Sequence, residues 1–302
     1  MNYPRIFERV YGSPHLITRE RFLSIHQVLM SRMSSGVDSS FEAIMMDGSG
    51  QSGRSTTNGS GRRSQRAAPV TDWDGRVLDK RLYTFAKPGV AVVPVYGVLA
   101  KNLSAYEESC GGGTDINPIA YALSQAAADS DVKKIVLDID SPGGEVTGVP
   151  ELGSRIRQID AGGKPVIAFS DALTASGAQW IGSSASESYA TSSSRHGSIG
   201  VYSAWLDETV ALEMKGFRLE LFTAGKHKAA GAPFRGLTDE ERDMIQANVT
   251  RIHQEFRSAV RIQRPGVSDD SMEGQVFDAS EALKRGLIDG IVGDWEEFLT
   301  LV

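Results

Sequence analysis

The sequence has little cysteine and no long apolar run, and each absence excludes a class of protein. Cys110 is the one cysteine among 302 residues, which excludes an internal disulfide framework and a cysteine-rich zinc site and fits a reducing compartment. No stretch approaches 18 consecutive apolar residues, and residues 1–8 are polar and charged, with no apolar signal-peptide core behind them. We therefore expect a soluble protein inside the cell.

The chain also lacks an excess of positive charge. Lys and Arg number 32 and Asp and Glu number 38, which gives a formal net charge of −6. An acidic chain has no general electrostatic attraction to nucleic acid, so we expect the main domain not to bind nucleic acid. At about 150 residues per structural unit, the length of the chain predicts two units.

The first 80 residues divide into a helical extension and a linker. Residues 1–46 contain one predicted helix, which opens at Thr18 and carries apolar side chains at spacings of three and four: Phe22, Ile25, Leu29 and Met33. Residues 47–80 are a predicted flexible linker, because ten of the twenty positions from 47 to 66 are Gly or Ser and none is aliphatic or aromatic. Ordering such a segment costs backbone entropy that no burial offsets.

Residues 81–302 form the main predicted domain, in which strands alternate with helices. Buried strands are predicted at 90–95, 135–139 and 165–169, and helices with one apolar face at 117–127 and 149–159. This succession is typical of a layered α/β fold.

The second half of the domain carries further predicted elements. Residues 200–204 are predicted as a strand, and so are residues 217–222, in which Leu219 and Leu221 point inward. The longest helix is predicted from Thr238 to about Gln263, opened by a capping box of Thr238 and Glu241.

Two loops follow predicted strands, at the edge where α/β sheets collect ligands. The first contains Gly143 and Gly144, which let the backbone turn sharply and point N–H groups outward, as an oxyanion requires. The second surrounds Ser176 with small residues at the start of a predicted helix. The Ser176 hydroxyl suits a nucleophile, but it also suits an ordinary helix N-cap.

A third loop, residues 224–229, contains Lys226, His227 and Lys228. A lysine amine acts as a base only when deprotonated, so its ordinary pKa of about 10.4 must fall to roughly 7, which burial among apolar walls achieves. Histidine is the alternative base, at His196 or His227. Neither histidine has an evident orienting carboxylate in the sequence.

Four short motifs occur in one order between residues 85 and 295, and together they carry a family resemblance. They are Asp138-x-Asp140-Ser141-Pro142-Gly143-Gly144, Thr174-Ala175-Ser176-Gly177-Ala178, Gly197-Ser198-Ile199-Gly200-Val201 and Ala224-Gly225-x-His227-Lys228. In this order they resemble the signal peptide peptidase A family of serine peptidases, and more narrowly its bacteriophage branch of capsid assembly proteases. Ala224 departs from the family, in which serine is common at this position.

The resemblance implies a crotonase-like (Clp protease) fold of repeated ββα units and a Ser/Lys dyad. Ser176 matches the family nucleophile and Lys228 the general base, while Ser198 matches the serine that orients the lysine amine. The backbone N–H groups of Gly144 and Gly177 match the oxyanion hole. No cofactor and no metal is implied.

The implied function is that of a serine endopeptidase in phage or prophage head maturation, which cleaves scaffold and capsid proteins. We expect a homo-oligomer in the cytoplasm or in the phage procapsid, and not on a membrane. Two other hypotheses stay open. One is a non-catalytic capsid scaffold partner that works through residues 1–75, and the other is an acyl-CoA enzyme of the crotonase superfamily that uses the same N–H groups for a thioester enolate.

Overall fold

The computed structural model describes Tyr11 and residues 13–34, 81–103 and 113–302. The predicted linker, 47–80, therefore lies outside the described residues. In the first part of the chain, strand β1 (His15–Ile17) precedes helix α1 (Arg19–Ser34). Helix α1 begins directly after Thr18, as the sequence predicts.

The remaining elements belong to the main domain and are given in chain order. They are β2 (Thr84–Lys87), β3 (Val90–Tyr96), β4 (Val98–Ala100), β5 (Gly113–Asp115), α2 (Ile116–Ala128), β6 (Lys134–Asp140), β7 (Gly143–Glu145), α3 (Val149–Ala161), β8 (Val166–Ser170), β9 (Leu173–Ala175), α4 (Gly177–Ser183), β10 (Glu187–Thr191), β11 (Arg195–Gly197), α5 (Thr209–Met214), α6 (Asp239–Gln263), β12 (Val276–Asp278), α7 (Ala279–Lys284), β13 (Gly290–Val292) and α8 (Trp295–Leu301). No helix among these or in the described part before the linker is long and apolar enough to cross a bilayer.

A six-stranded sheet forms the centre of the domain, in the order β13-β10-β8-β6-β3-β2. Neighbouring strands are parallel except for β2, which runs antiparallel to β3. Parallel strands are covered on both faces, and their residues alternate between two apolar clusters. On β6, Ile135, Leu137 and Ile139 join the larger cluster, whereas Val136 joins a second cluster under α8.

Three consecutive ββα units repeat along the chain: β3, β4 and α2, then β6, β7 and α3, then β8, β9 and α4. The first strand of each unit lies in the central sheet, and the second lies in one of two small sheets. One small sheet has the order β1-β7-β4-β5, and the other has the order β12-β11-β9. The predicted α/β class and its ββα repetition are confirmed, and the short second strands collect at one end of the central sheet.

The predicted long helix is confirmed, but two predicted strands are wrong. Helix α6 carries the capping box, in which Glu241 N–H donates to Thr238 Oγ1 and Thr238 N–H donates to the Glu241 carboxylate. Residues 217–222 form no strand, and Leu219 and Leu221 are exposed. A segment with alternating apolar and polar residues forms a strand only where a neighbouring strand pairs with it and an apolar surface covers one face. Among the described residues of one chain, residues 217–222 have neither a pairing strand nor such a surface.

The other wrong prediction is the strand at 200–204. Here the chain forms only an isolated bridge, between Tyr202 and His15. Residues 200–204 therefore pair with the rest of the described chain at one position only, and the pairing residue, His15, lies near the start of the chain.

Candidate active site

Main-chain hydrogen bonds bring three of the four motifs together around Ser176. Ser141 N–H donates to Leu173 O over 2.7 Å, and Ala175 N–H donates to Ser141 O over 3.1 Å, which ties the first loop to the strand that leads to Ser176. Ser176 N–H in turn donates to the carbonyl oxygen of Gly197 over 2.8 Å. The ends of β6, β9 and β11 therefore meet at one point.

Ser176 occupies the N-cap position of α4 but does not cap the helix. Its side chain makes no capping bond, and its Oγ is buried with no hydrogen-bond partner. Its φ of 54° and ψ of −119° lie outside the regions that residues with a Cβ favour, at a cost of about 1–3 kcal/mol. Because an ordinary capping serine is hydrogen-bonded and unstrained, the N-cap interpretation fails. The hydroxyl is left unengaged.

The paired glycines of the first loop have separate roles. Gly143 has a φ of 91°, and its N–H donates to Ser141 Oγ over 3.1 Å. Ser141 Oγ itself donates to Gly97 O over 2.6 Å, which fixes the turn. The N–H of Gly143 is therefore engaged within the loop, and the next residue, Gly144, lies in β7 opposite Leu16.

Two glycines of the site are closely surrounded: Gly144 leaves no room for a side chain, and Gly177 leaves little. A Cβ on Gly144 would lie 1.7 Å from the carbonyl oxygen of Leu99 on the neighbouring strand β4. A Cβ on Gly177 would lie 3.3 Å from Leu16. Gly177 is the first residue of α4, so its N–H has no acceptor within the helix. These two N–H groups are the predicted oxyanion donors.

Ser198 directly follows Gly197, the last residue of β11, whose carbonyl oxygen accepts the N–H of Ser176. Its φ is 52°, and its N–H donates to Gln275 O over 2.5 Å. Its side chain lines a cavity of about 300 Å³ together with Ile17 and Tyr202. No lysine amine among the described residues hydrogen-bonds to Ser198, so its predicted role in orienting a lysine stays a prediction.

Lys228 is exposed, whereas the other predicted site residues are buried. It sits in an exposed turn whose backbone is closed by the bond from Lys228 N–H to Gly225 O at 3.1 Å. Within the described part of one chain, the ammonium makes no hydrogen bond or ion pair, and Ser176 Oγ has no partner. A single chain thus assembles Ser176, Gly144, Gly177 and Ser198, but it does not assemble the predicted dyad.

His196, one of the alternative bases, is fully buried on β11. Its Nε2 lies 2.9 Å from Ser194 Oγ, and its Nδ1 has no hydrogen-bond partner. Burial lowers the pKa of His196 to about 4, so the ring is neutral at pH 7. Since no carboxylate in the described chain hydrogen-bonds to it, His196 does not form a Ser-His-Asp arrangement.

His227, the other alternative base, does have a carboxylate nearby, which the sequence did not indicate. Its Nε2 lies 3.8 Å from Glu240. That carboxylate is bound more closely by Lys226, at 2.6 Å, and all three side chains are substantially exposed. The cluster is therefore a surface ion-pair group that lies away from Ser176 and is not the orienting pair of a triad.

Two sets of residues beside the site were not predicted from the sequence. Gln179, on α4, accepts the N–H of Gly197 at Oε1 over 3.1 Å and donates from Nε2 to Ser183, which locks the turn that holds Ser176. Strand β1 pairs with β7, and Leu16 lies opposite Gly144. A strand of three residues has no periodic signal, and only the apolar pair Leu16 and Ile17 before a helix N-cap marks it.

In the part of the chain that the structure describes, no three His, Cys, Asp or Glu side chains cluster in a way that could hold a metal ion. The polar groups around Ser176 are main-chain N–H and C=O groups, serine hydroxyls and the Gln179 amide. Such an arrangement stabilises negative charge on an oxygen through hydrogen bonds.

Comparison with protein-family models and known sequences agrees with the resemblance in the motifs. Residues 158–300 match the model described as Peptidase family S49. The chain is 35% identical to Capsid assembly protease C of Escherichia phage lambda over 210 residues, which are 68% of this chain and 46% of that protein. It is 32% identical to Head-tail preconnector protein GP5 of Enterobacteria phage P21, over 68% of this chain and 41% of that protein.

More distant similarity extends to cellular proteins and to a solved structure. Protease 4 of Haemophilus influenzae is 29% identical over 76% of this chain and 38% of that protein. A ClpP1 mutant from Listeria monocytogenes aligns with 68% of this chain and 93% of its own, with a TM-score of 0.43 and 15% sequence identity.

The similarity has a defined extent. The chain spans less than half the length of the two phage relatives. The part aligned with these relatives nevertheless covers about two thirds of this chain. The range matched by the family model contains Ser176, Ser198 and Lys228. The resemblance in the motifs is therefore confirmed: the chain is a relative of the signal peptide peptidase A-like peptidases of family S49, with a phage capsid assembly protease among its similar relatives.

Proposed function

We propose that this protein is a serine endopeptidase in which Ser176 is the nucleophile. The observation that carries the proposal is the state of Ser176 itself, which is buried and strained and whose Oγ has no hydrogen-bond partner. Strain and an unbonded buried hydroxyl both cost stability, and such costs concentrate where a side chain is needed for chemistry. Family S49 similarity across residues 158–300 supports the same role.

The reaction follows from the positions of these groups. Ser176 Oγ attacks the carbonyl carbon of a peptide bond and transfers its proton to the neutral amine of Lys228. The N–H groups of Gly144 and Gly177 hold the oxyanion of the tetrahedral intermediate. Lys228 then protonates the leaving amine, and a water molecule hydrolyses the acyl-enzyme, which releases the new carboxylate and restores Ser176.

Lys228 completes the dyad in an assembly of several copies. The segment before it exposes large apolar side chains, at Val210, Met214, Phe217, Leu219, Leu221 and Phe222. Phe222 is 88% exposed, and an apolar surface of this kind is typical of an interaction site. We infer that this surface packs against another copy of the chain, where burial both places the Lys228 amine beside a Ser176 hydroxyl and keeps it uncharged.

The substrates we propose are proteins of a phage head. Two of the relatives are named a capsid assembly protease and a head-tail preconnector protein, and both come from phages. Scaffold and capsid proteins are therefore the first candidates, and the procapsid or the host cytoplasm is the place of action. Extended segments of such proteins present the main chain that a peptidase groove needs.

The proposal is tested by protein cleavage with matched variants. The full chain is incubated with casein as a general protein substrate and with phage scaffold protein, and fragments are measured by mass spectrometry. Ser176→Ala and Lys228→Ala are each expected to lower the cleavage rate at least 1,000-fold, while Lys226→Ala keeps it within about twofold. Cleavage that persists in Ser176→Ala contradicts the proposal, and so does equal activity in the two lysine variants.

A further inference from the structure

Residues 13–18, which we call the leading segment, are held by main-chain bonds on both sides. On one side Thr18 N–H donates to the carbonyl oxygen of Pro142 over 3.1 Å, in line with the antiparallel pairing of β1 and β7. On the other side His15 N–H donates to Tyr202 O over 2.8 Å, and Tyr202 N–H donates to His15 O over 3.3 Å. The leading segment thus lies between β7 on one side and Tyr202 on the other, and it bonds to both through its main chain.

Leu16 is the residue of the leading segment that lies at the oxyanion glycines. A Cβ on Gly143 would lie 2.0 Å from the Leu16 carbonyl oxygen and 2.7 Å from the amide nitrogen of Gly177, so both atoms border the same small space. In the pairing of β1 with β7, Leu16 lies opposite Gly144. The Leu16 carbonyl therefore lies between the two residues whose N–H groups form the proposed oxyanion hole.

The side chain of Leu16 is fully buried and belongs to the larger apolar cluster of the domain. The residue after it, Ile17, lines the cavity of about 300 Å³ that Ser198 also lines. The leading segment thus fills an apolar position beside the nucleophile and continues along the open part of the groove. A peptide that presents its carbonyl to Ser176 needs these same two features.

Helix α1 anchors the leading segment behind the groove. Phe22 packs edge-on against Tyr202, with ring centroids 4.9 Å apart, and Tyr202 is the residue that bonds to His15. An anchored segment acts at a high effective concentration, so it competes strongly with any free peptide for the same groove.

We propose that the leading segment is a built-in ligand of the peptide groove, bound as a substrate strand with Leu16 at the position of the attacked residue. The inference rests on the proposed function and adds the ligand class: one extended strand with a large apolar side chain at the position opposite Gly144. The groove is closed to other proteins until the segment leaves. The segment therefore sets when the site becomes accessible.

A binding experiment tests this inference without any chemistry at Ser176. All proteins are full chains that carry Ser176→Ala, and the probe is a fluorescein-labelled peptide with the sequence of residues 13–20, Ser-Pro-His-Leu-Ile-Thr-Arg-Glu. Anisotropy is compared for the unchanged segment, for Leu16→Asp and for the control Leu23→Asp, since Leu23 is an exposed leucine on α1. We expect Leu16→Asp to bind the probe at least tenfold more tightly than the other two proteins.

The outcomes separate this inference from the proposed function. Equal probe affinity for the Leu16→Asp and Leu23→Asp chains overturns it, and so does equal affinity for a probe in which Asp replaces the leucine. If Leu16→Asp fails to fold, the test is hydrogen exchange at residues 13–18 of the Ser176→Ala chain with an unchanged leading segment. Excess unlabelled peptide is expected to speed exchange at residues 13–18, and unchanged exchange overturns the inference. Failure of protein cleavage by a Leu16→Asp chain that keeps Ser176, with probe binding as expected, counts against the peptidase proposal alone.

Discussion

The amide N–H of Ser176 donates to the carbonyl oxygen of Gly197, and both residues have a positive φ, 54° and 116°. The bond joins two strained turns, one that presents the nucleophile and one that leads to Ser198. Gln179 holds the second turn through the N–H of Gly197. The position of Ser176 Oγ therefore depends on a glycine 21 positions further along the chain.

Gly197→Ala is expected to lower kcat/KM for protein cleavage at least tenfold. The new Cβ would lie 2.6 Å from Gln275 O, and an alanine at this φ costs a further 1–2 kcal/mol or so. Both effects displace the turn that positions Ser176. Gly163→Ala is the matched control, because Gly163 has a φ of 94° with open space around it. Equal activity of the Gly197→Ala and Gly163→Ala enzymes would contradict the role of the Gly197 turn in positioning Ser176.

His196 is expected to make the folded chain sensitive to acid. Its pKa is about 4 in the folded chain and about 6.5 when exposed, so below pH 6.5 the unfolded chain takes up a proton that the folded chain does not. Stability from this residue is fully present above pH 6.5 and is lost as the pH falls towards 4, by about 3 kcal/mol in all. Urea unfolding at pH 7 and at pH 4.5 measures the effect.

The control for this pH effect is His196→Gln, which cannot be protonated. The variant is expected to lose less stability between pH 7 and pH 4.5 than the wild type does, because carboxylates and other groups contribute equally to both. Identical losses in the two proteins contradict the assignment of the effect to His196.

Phe222→Asp is expected to break the assembly and the activity together. Phe222 is the most exposed of the apolar side chains before Lys228, and a charge there opposes packing against another copy. Sedimentation velocity is expected to show smaller species, with cleavage lowered at least tenfold. Leu301→Asp, on the exposed side of α8, is the control and is expected to change neither the size of the assembly nor the rate of cleavage. A smaller but fully active Phe222→Asp enzyme contradicts the role of the assembly.

Local sequence patterns predicted the parts of the fold that depend on local rules. The apolar run Ile135 to Ile139 became a central strand because its alternate residues face two apolar clusters. The capping box at Thr238 fixed the start of α6, since its hydrogen bonds involve residues three apart. These features need no knowledge of distant contacts.

Features that depend on distant partners were not predictable in this way. The pattern of Leu219 and Leu221 is that of a strand, but both side chains are exposed in the described chain because no edge pairs with them. The pairing of Leu16 with Gly144 joins positions 128 residues apart, and the first of them lies in a three-residue strand without periodicity. Likewise, the strain at Ser176 follows from the bond to Gly197, which a local pattern does not encode.

The candidate site rests on the order of its motifs. Single loops around Gly144 or Ser176 fitted ordinary turns and caps equally well, and only their coincidence pointed to peptidase chemistry. The structure brings Ser176, Gly144, Gly177 and Ser198 together, and it leaves Lys228 on an exposed turn. The dyad remains a prediction that requires an assembly.

Mapping of a covalent adduct tests the central claim most directly. The full chain is treated with a fluorophosphonate, which reacts with activated serine hydroxyls, and the modified residue is identified by mass spectrometry. We predict one adduct, on Ser176, formed at least 100-fold more slowly in Lys228→Ala and at an unchanged rate in Lys226→Ala. An adduct on another serine, or equal rates in the two lysine variants, would contradict the assignment of Ser176 and Lys228 as the catalytic pair.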